Sequence, residues 1–188
     1  MTGNNMNRYL DIQILPDPEF KETVLMNAIY SKLHKALFDL HSTNIGVSFP
    51  HYNITLGNTL RLHGTDKVLE NLQCLNWIAS MSGHCKQSGI QPIPADAMFR
   101  TVSRKQTTMS TAKLKRLVER GSISEEEAKK YRTKMSTKVL ENPYVELVSG
   151  SNGHKHRRYI ELGPLLNSAV EGDFDQFALS KTATIPWF

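Results

Sequence analysis

The sequence predicts an α+β fold in two parts, a ferredoxin-like domain over residues 6–100 and a smaller α+β domain over residues 101–188. Up to about residue 100 the hydrophobic pattern follows the order strand–helix–strand–strand–helix–strand, which is the split βαβ arrangement. Beyond that point the pattern changes to two polar helices and a β-hairpin, and the charge changes with it. A chain of 188 residues is long enough to bury a core in each part.

Periodicity and turn residues predict the elements of the first part. In chain order they are a strand over 8–15, a helix over about 20–40, strands over 45–49 and 59–63, a helix from Asp66, and a closing strand over Met98–Val102. The first helix has the clearest pattern, because apolar residues from Leu25 to Leu40 recur at spacings of three and four. The prolines at positions 92 and 94 weaken the approach to the closing strand.

The second part begins with a predicted basic helix over about 111–120. At 100° per residue, Lys113, Arg116 and Arg120 lie within an arc of about 60°, and the apolar side chains occupy another arc. Such a helix can pack on the protein with one side and contact phosphates with the other. The alternative is a solvated surface helix.

A second helix and a hairpin follow. Ser124-Glu-Glu-Glu127 is a capping box, which predicts a helix ending at about Leu140. Tyr144–Val148 and Tyr159–Leu162 are strand-forming runs on either side of Asn152-Gly153, and Asn-Gly is the strongest short hairpin signal.

Positive charge is concentrated in the second part. Residues 1–99 contain seven Lys and Arg against eight Asp and Glu, a net charge of −1. Residues 100–188 contain sixteen against ten, a net charge of +6. This division indicates that the second part meets a polyanion such as a nucleic acid, and that the first part is its scaffold.

His34 is the histidine best placed for chemistry. It lies about 140° from the centre of the apolar stripe of the first helix, with Tyr30 and Phe38 four residues before and after it. Two aromatic residues beside it indicate that something covers this face, either the second part of the chain or a ligand. The alternative is an exposed histidine with no role.

Hydroxyl groups, imidazoles and cations meet at one end of the predicted hairpin. Ser149 and Ser151 follow one strand, and the run from His154 to Arg158 leads into the other. These groups can hold a phosphodiester. With a histidine to move the proton, they support attack of a ribose 2′-hydroxyl on the adjacent phosphorus without a metal. The alternative is a solvated loop rich in Ser and Gly.

The sequence lacks the signals that mark several other classes of protein. No apolar run approaches the ~18 residues of a membrane helix, and residues 1–6 lack the apolar segment of a signal peptide, so a cytoplasmic protein is expected. Cys74 and Cys85 have no second pair to complete a zinc site. The glycines at 150 and 153 are not followed by the Lys-Ser or Lys-Thr of a P-loop. We expect neither a metal nor a cofactor.

Short motifs coincide in collinear order from about residue 6 onward. They are Tyr9-Leu-Asp-Ile12, Pro16-Asp-Pro-Glu-Phe20, Lys32-Leu-His34, Ile45-Gly-Val-Ser-Phe-Pro50, Val102-Ser-Arg104 with Gln106, Ser124-Glu-Glu-Glu-Ala128, Leu179-Ser-Lys181 and Pro186-Trp-Phe188. Each is weak singly. Together they resemble the subtype I-F (Csy-type) CRISPR-associated endoribonuclease, which cuts precursor CRISPR RNA.

The resemblance implies a catalytic site. It implies metal-independent cleavage of precursor CRISPR RNA at the 3′ base of the repeat stem-loop, with 2′,3′-cyclic phosphate and 5′-hydroxyl ends. His34 matches the family's proton-transfer histidine and Ser149 the serine that orients the attacking 2′-hydroxyl, with Ser151 as a supporting polar contact. Phe177 falls where a tyrosine can accompany the histidine, and it offers the ring without the hydroxyl.

The resemblance also implies an RNA-binding set. Arg104 and Gln106 match a pair that contacts base edges near the base of the stem, where Arg suits guanine and Gln suits adenine. A-form major grooves admit such contacts only near a helix end or loop. The other side chains expected to bind RNA are Lys113, Lys115, Arg116, Arg120, His156, Arg157 and Phe177.

The implied partners are the repeat hairpin, the mature guide RNA retained after cutting, and the other subunits of a CRISPR surveillance complex, with no membrane. Two alternatives from other classes stay open. One is a non-catalytic module that binds an RNA hairpin, in which His34 and Ser149 are structural. The other is a protein-interaction domain whose basic helix binds an acidic partner.

Overall fold

The computed structural model describes residues 6–106, 111–137, 141–148 and 153–188, and it shows a mixed α+β fold. The helices are α1 (Glu22–Leu40), α2 (Asp66–Cys74), α3 (Thr111–Glu119) and α4 (Glu125–Thr137). The strands are β1 (Arg8–Ile14), β2 (Gly46–Ser48), β3 (Thr59–Gly64), β4 (Cys85–Gln87), β5 (Gln91–Pro92), β6 (Met98–Arg100), β7 (Val102–Lys105), β8 (Tyr144–Val148), β9 (Lys155–Leu162) and β10 (Ile185–Trp187).

The first sheet has the strand order β2-β3-β1-β4, and its paired strands are antiparallel. Because α1 follows β1 and α2 follows β3, this order is that of the split βαβ arrangement. The helix and strand order expected for the first part therefore agrees with the sheet, apart from its last strand. β5 adds a short pairing to the beginning of β1.

The predicted closing strand at Met98–Val102 is wrong. The fourth position of the sheet belongs to β4, which pairs with the end of β1. β6 pairs with β10 instead, and β7 begins a separate sheet with β9. A strand of three residues is too short to show a period of two, so its pairing depends on tertiary context rather than on local pattern.

Helix α1 packs one face against the first sheet. The buried residues include the predicted apolar stripe, with Leu25, Ile29 and Leu33 all less than 5% exposed. Tyr30 is also fully buried, although the sequence placed it beside His34 on the outer face. The buried face is therefore wider than the stripe, and His34 lies at its edge.

The C-terminal segment packs on part of the other face of the first sheet, at β2 and β3. Phe174 and Ile185 approach Gly46 so closely that an added Cβ would lie 2.9 Å from Phe174 and 2.3 Å from Ile185. Arg61 of β3 donates a hydrogen bond of 3.0 Å to the main-chain oxygen of Phe188 and lies over its ring. RNA-recognition modules of this topology bind RNA on an open sheet face. Here the C-terminal segment occupies part of that face.

The second sheet has the order β7-β9-β8, and helices α3 and α4 lie between β7 and β8 in the chain. The predicted capping box of α4 is confirmed. Ser124 Oγ accepts from the Glu127 N–H at 3.2 Å, and Glu127 Oε2 accepts from the Ser124 N–H at 2.9 Å. Helix α4 is described as far as Thr137, and the predicted end at Leu140 lies outside the described residues.

The predicted hairpin is confirmed in its two strands. β8 and β9 are antiparallel, and Val148 pairs with Lys155. Gly153 has a φ of 68°, the positive value expected for a turn glycine. Asn152 lies outside the described residues, so the predicted tight turn at Asn152-Gly153 stays a prediction.

The buried core includes residues on both sides of the predicted boundary at residue 100, among them Leu10, Ile12, Val145 and Ile160. The division into residues 6–100 and 101–188 stays a prediction. Within the described ranges, no helix has the length and apolar character needed to cross a membrane.

Candidate active site and nucleic-acid interface

His34 lies in a cleft of about 450 Å³ between α1 and the β8–β9 hairpin. Helix α1 lines the cleft with Ser31, His34, Lys35 and Phe38, and the hairpin lines it with Leu147, Val148 and His156. Phe177, from the segment before β10, is also part of the wall. The sequence left two alternatives for this face of α1, the second part of the chain or a ligand, and the structure places residues of the second part beside His34.

Two contacts fix the imidazole of His34. Its ring stacks on the ring of Phe177, with centroids 3.7 Å apart and planes 11° apart. Its Nδ1 lies 2.8 Å from the main-chain oxygen of Gln176. A carbonyl oxygen only accepts, so Nδ1 donates the hydrogen, and in the neutral ring Nε2 keeps the lone pair. The ring is held in the tautomer that can take a proton at Nε2.

Hydrogen bonds hold the segment that carries Phe177. Asp175 Oδ1 accepts from the main-chain N–H groups of Phe177 at 2.8 Å and Leu179 at 3.0 Å. The buried hydroxyl of Tyr30 donates to the main-chain oxygen of Phe177 at 2.7 Å. Burial raises the pKa of Tyr30, so its hydroxyl stays protonated and remains a donor.

A larger cleft of about 900 Å³ runs along β7 and the end of β9. Its charged wall residues are four cations and one carboxylate, namely Arg104, Lys105, Lys113, Lys181 and Glu161. Lys105 forms an ion pair with Glu161. The excess of cations favours a polyanionic ligand, so this cleft is the candidate nucleic-acid interface.

Three predicted RNA-binding residues meet in the larger cleft, since Arg104, Gln106 and Lys113 all line it. His156 lines the His34 cleft instead. The two clefts share strand β9, where His156 and Glu161 are five residues apart and so separated by roughly 16 Å.

The predicted basic helix is confirmed as α3. Leu114 is 1% exposed on the side where α3 packs with α4, whereas Lys113, Arg116 and Arg120 are exposed. The helix therefore has the expected apolar and basic faces.

Arg157 lies on the opposite face of β9 from His156. Its Nε is 3.6 Å from Glu146 Oε2, and its guanidinium carbon is 4.5 Å from the centroid of Tyr144. Arg157 is thus directed away from the His34 cleft, and its predicted role in RNA binding stays a prediction. Ser149 and Ser151 lie outside the described residues, although Ser149 follows Val148 of the cleft wall in the chain.

Sequence reasoning missed Arg158, which is buried against the far face of Phe177, and Lys181, which lines the larger cleft. The alternation of side chains between the two faces of β9 could have predicted that Arg158 is buried. Ile160 faces the core, so Arg158, two residues earlier, faces the same way. Lys181 was part of a motif already noted, but local pattern does not connect it with β7.

The chain is similar in sequence to known proteins. A sequence model described as "CRISPR-associated protein (Cas_Csy4)" matches residues 9–188. A protein of Escherichia coli (strain UTI89 / UPEC), named CRISPR-associated endonuclease Cas6/Csy4, is 37% identical over 184 residues. A protein of the same name from Pseudomonas aeruginosa (strain UCBPP-PA14) is 37% identical over 187 residues. Each match covers 97% of this chain and all of the relative.

A solved structure described as "An RAMP protein binding different RNA substrates" matches 96% of this chain and all of its own, at 11% identity and a TM-score of 0.35. That superposition is too loose to support an argument. The sequence matches, which span nearly the whole chain, decide the family. This chain belongs to the Cas_Csy4 family of CRISPR-associated proteins.

Proposed function

We propose that this chain is an endoribonuclease that binds the repeat hairpin of precursor CRISPR RNA and cuts it once, at the 3′ base of the stem. One observation carries the proposal. His34 is held by Phe177 and Gln176 with Nε2 as its basic atom, in a cleft that shares a strand with a cation-rich cleft. The two relatives are both named endonucleases, which supports the same reaction class.

The proposed reaction is a transesterification within the RNA backbone. Nε2 of His34 accepts the proton of a ribose 2′-hydroxyl, and the oxygen attacks the adjacent phosphorus. The bond from phosphorus to the 5′-oxygen breaks, and this oxygen takes up a proton. The products are a 2′,3′-cyclic phosphate and a 5′-hydroxyl, with no water or metal consumed.

The remaining residues of the proposed site hold the RNA. Ser149 orients the attacking hydroxyl, with Ser151 as a supporting contact. Arg104 contacts a guanine edge and Gln106 an adenine edge near the end of the stem. The cations of α3 contact phosphates along the stem. After cutting, the protein keeps the mature guide RNA and joins a surveillance complex.

The alternative is a module that binds the hairpin without cutting it. An oriented imidazole favours the enzyme, because RNA binding alone does not require the stacking and the hydrogen bond that select one tautomer. The two functions make different predictions for a change at His34.

The test is cleavage of a labelled CRISPR repeat hairpin in excess EDTA by wild type, His34→Ala and the control His41→Asn. His41 is exposed at the end of the same helix, and Asn tolerates its left-handed backbone. We expect wild type and the control to make one cut ending in a cyclic phosphate. His34→Ala should lose roughly 10²- to 10⁴-fold in rate and bind the hairpin nearly as well.

A second substrate with a 2′-deoxy sugar at the cut site should bind and stay intact. Binding without cleavage by wild type would establish the RNA-binding module instead. Full cleavage by His34→Ala would remove this histidine from the reaction, and cleavage only after metal addition would refute the metal-independent mechanism.

A further inference from the structure

The ring of Phe177 is sandwiched between a histidine and an arginine. The guanidinium carbon of Arg158 lies 3.5 Å from the centroid of Phe177, and the ring of His34 lies 3.7 Å from it. Two groups at these distances would overlap on one face of the ring. They therefore occupy opposite faces, with Phe177 in the middle of a three-layer stack.

Arg158 is buried at an energetic cost. It is 7% exposed, and its Nε has no hydrogen-bond partner among the described residues. Buried guanidinium groups are normally paired with a carboxylate. No ion pair of Arg158 is found in the described parts of the chain, and the carboxylate of Asp175 acts on its charge only from farther away. Burial, and then the nearby charge of Arg104, lower its pKa. Packing alone would be served better by Leu or Met, so the guanidinium must meet another requirement.

The other contacts of Phe177 do not fix its side chain. Asp175 and Tyr30 bond to its main-chain N–H and oxygen, and these bonds fix the backbone. They do not fix the rotation of the side chain, which has two free torsions. Arg158 contacts one face of the ring through a cation–π interaction, and His34 stacks on the opposite face.

We propose that Arg158 is a positioning residue for His34. Arg158 holds the ring of Phe177 in place, so that the imidazole of His34 stacks at one angle and its Nδ1 stays hydrogen-bonded to the main-chain oxygen of Gln176. The proposal rests on the proposed function for its effect on cleavage, but the stack itself can be tested without RNA. Arg158 does not touch the substrate in this scheme. Its removal should lower the rate of the chemical step and leave hairpin affinity unchanged.

The experiment compares wild type with Arg158→Met, Arg158→Lys and Arg61→Met. Met keeps the length of the buried chain without the charge, and Lys restores the charge without the planar group. Arg61 is the control, because it is a half-buried arginine that also lies over aromatic rings, those of Tyr9 and Phe188, but in the first sheet and away from Phe177. Circular dichroism is used to choose a temperature at which all four proteins are folded.

Two measurements are made on each protein. The first is the NMR signal of the His34 ring in the RNA-free protein, assigned by its absence in His34→Ala. Stacking on Phe177 shifts this signal upfield, and Phe177→Leu supplies the unstacked reference. The second is the single-turnover cleavage rate, together with the affinity for the 2′-deoxy hairpin.

We expect Arg158→Met to move the His34 signal toward the unstacked reference and to slow cleavage about tenfold at unchanged affinity. Arg158→Lys should recover part of both effects, and Arg61→Met should change neither. A His34 signal and a cleavage rate that stay as in wild type in Arg158→Met would overturn the proposal. If wild type does not cleave at all, the proposed function fails, and the NMR signals still decide whether Arg158 holds the stack.

Discussion

His34 hydrogen-bonds to a main-chain oxygen 142 residues further along the chain, and that contact selects its tautomer. The residue type supplies an imidazole, but the carbonyl of Gln176 decides which nitrogen is basic. His63 shows the opposite outcome for the same residue type. It is fully buried, and its Nε2 lies 2.8 Å from Ser48 Oγ, so it serves the core rather than a reaction.

The first prediction concerns His63 and stability at low pH. Burial, together with the charge of Arg61, lowers the pKa of His63 to about 3 in the folded protein. In the unfolded chain a histidine titrates near ~6.5. Between these values only the unfolded state binds the proton, so the free energy of unfolding falls as pH falls, by up to about 1.4 kcal/mol per pH unit.

Urea unfolding measured from about pH 7 down to about pH 5 checks this slope. His63→Leu should be less stable at neutral pH, because Ser48 loses its partner, and should show a flatter dependence on pH. The control His41→Asn should keep the wild-type slope, because His41 is exposed. An unchanged slope in His63→Leu would assign the acid sensitivity to other groups.

At the scale of elements, the proposed function assigns RNA binding to helix α3 and the chemistry to the cleft beside the β8–β9 hairpin. Leu114 is buried where α3 packs with α4, and the cations of α3 are exposed to solvent. The hairpin forms one wall of the His34 cleft, and β9 extends from there to the cation-rich cleft. Binding affinity and cleavage are therefore expected to respond to changes in different elements.

The second prediction concerns the exposed cations of α3. Changing Lys115, Arg116 and Arg120 together to Gln should weaken binding of the repeat hairpin. The slope of log affinity against log salt should fall by roughly one for each phosphate that the variant no longer neutralises. The ion pair of Lys115 with Glu119 is exposed and contributes little to stability, so the fold should persist.

The control changes Lys129, Lys130 and Arg132 to Gln, which removes the same charge from the exposed surface of α4. Titration of labelled hairpin at several salt concentrations measures both triple variants. An equal decrease of slope in the two variants would mean that net charge, rather than α3, sets the affinity.

At the scale of the whole molecule, the C-terminal segment has two structural roles. Phe174 and Ile185 cover the first sheet beside Gly46, and Phe177, between them in the chain, stacks on His34. The same segment that packs on the first sheet thus also positions Phe177 in the candidate active site. Loss of the docked segment should remove both.

The third prediction is that Gly46→Ala destabilises the protein. The new methyl would lie 2.3 Å from Ile185, which is far inside contact distance, so the segment or the strand must move. Overpacking of this kind costs about 1–3 kcal/mol. Urea unfolding gives the cost, and limited proteolysis reports whether the C-terminal segment is released.

The matched control is Gly83→Ala, where an added Cβ meets nothing within 4 Å. It should leave stability and proteolysis unchanged. Wild-type stability in Gly46→Ala would show that the contact between β2 and the segment relaxes without cost.

The sequence by itself determined the elements whose information is local. Helix α1 has its apolar period, α4 has its capping box and the hairpin has its alternating strands, so each was predicted. Motifs singled out His34, Arg104 and Gln106, because their residue types and spacing are properties of the chain alone. Short elements such as β4 have too few residues to show a period, which is why the closing strand was misplaced.

Only the tertiary structure decided how these parts meet. It placed the C-terminal segment on part of the first sheet, brought Gln176 and Phe177 to His34, and buried Arg158 behind the stack. The two contacts of His34 join residues more than a hundred positions apart, and their geometry depends on packing across the whole molecule. A sequence pattern records which side of an element is apolar, whereas the orientation of an imidazole depends on which distant atoms surround it.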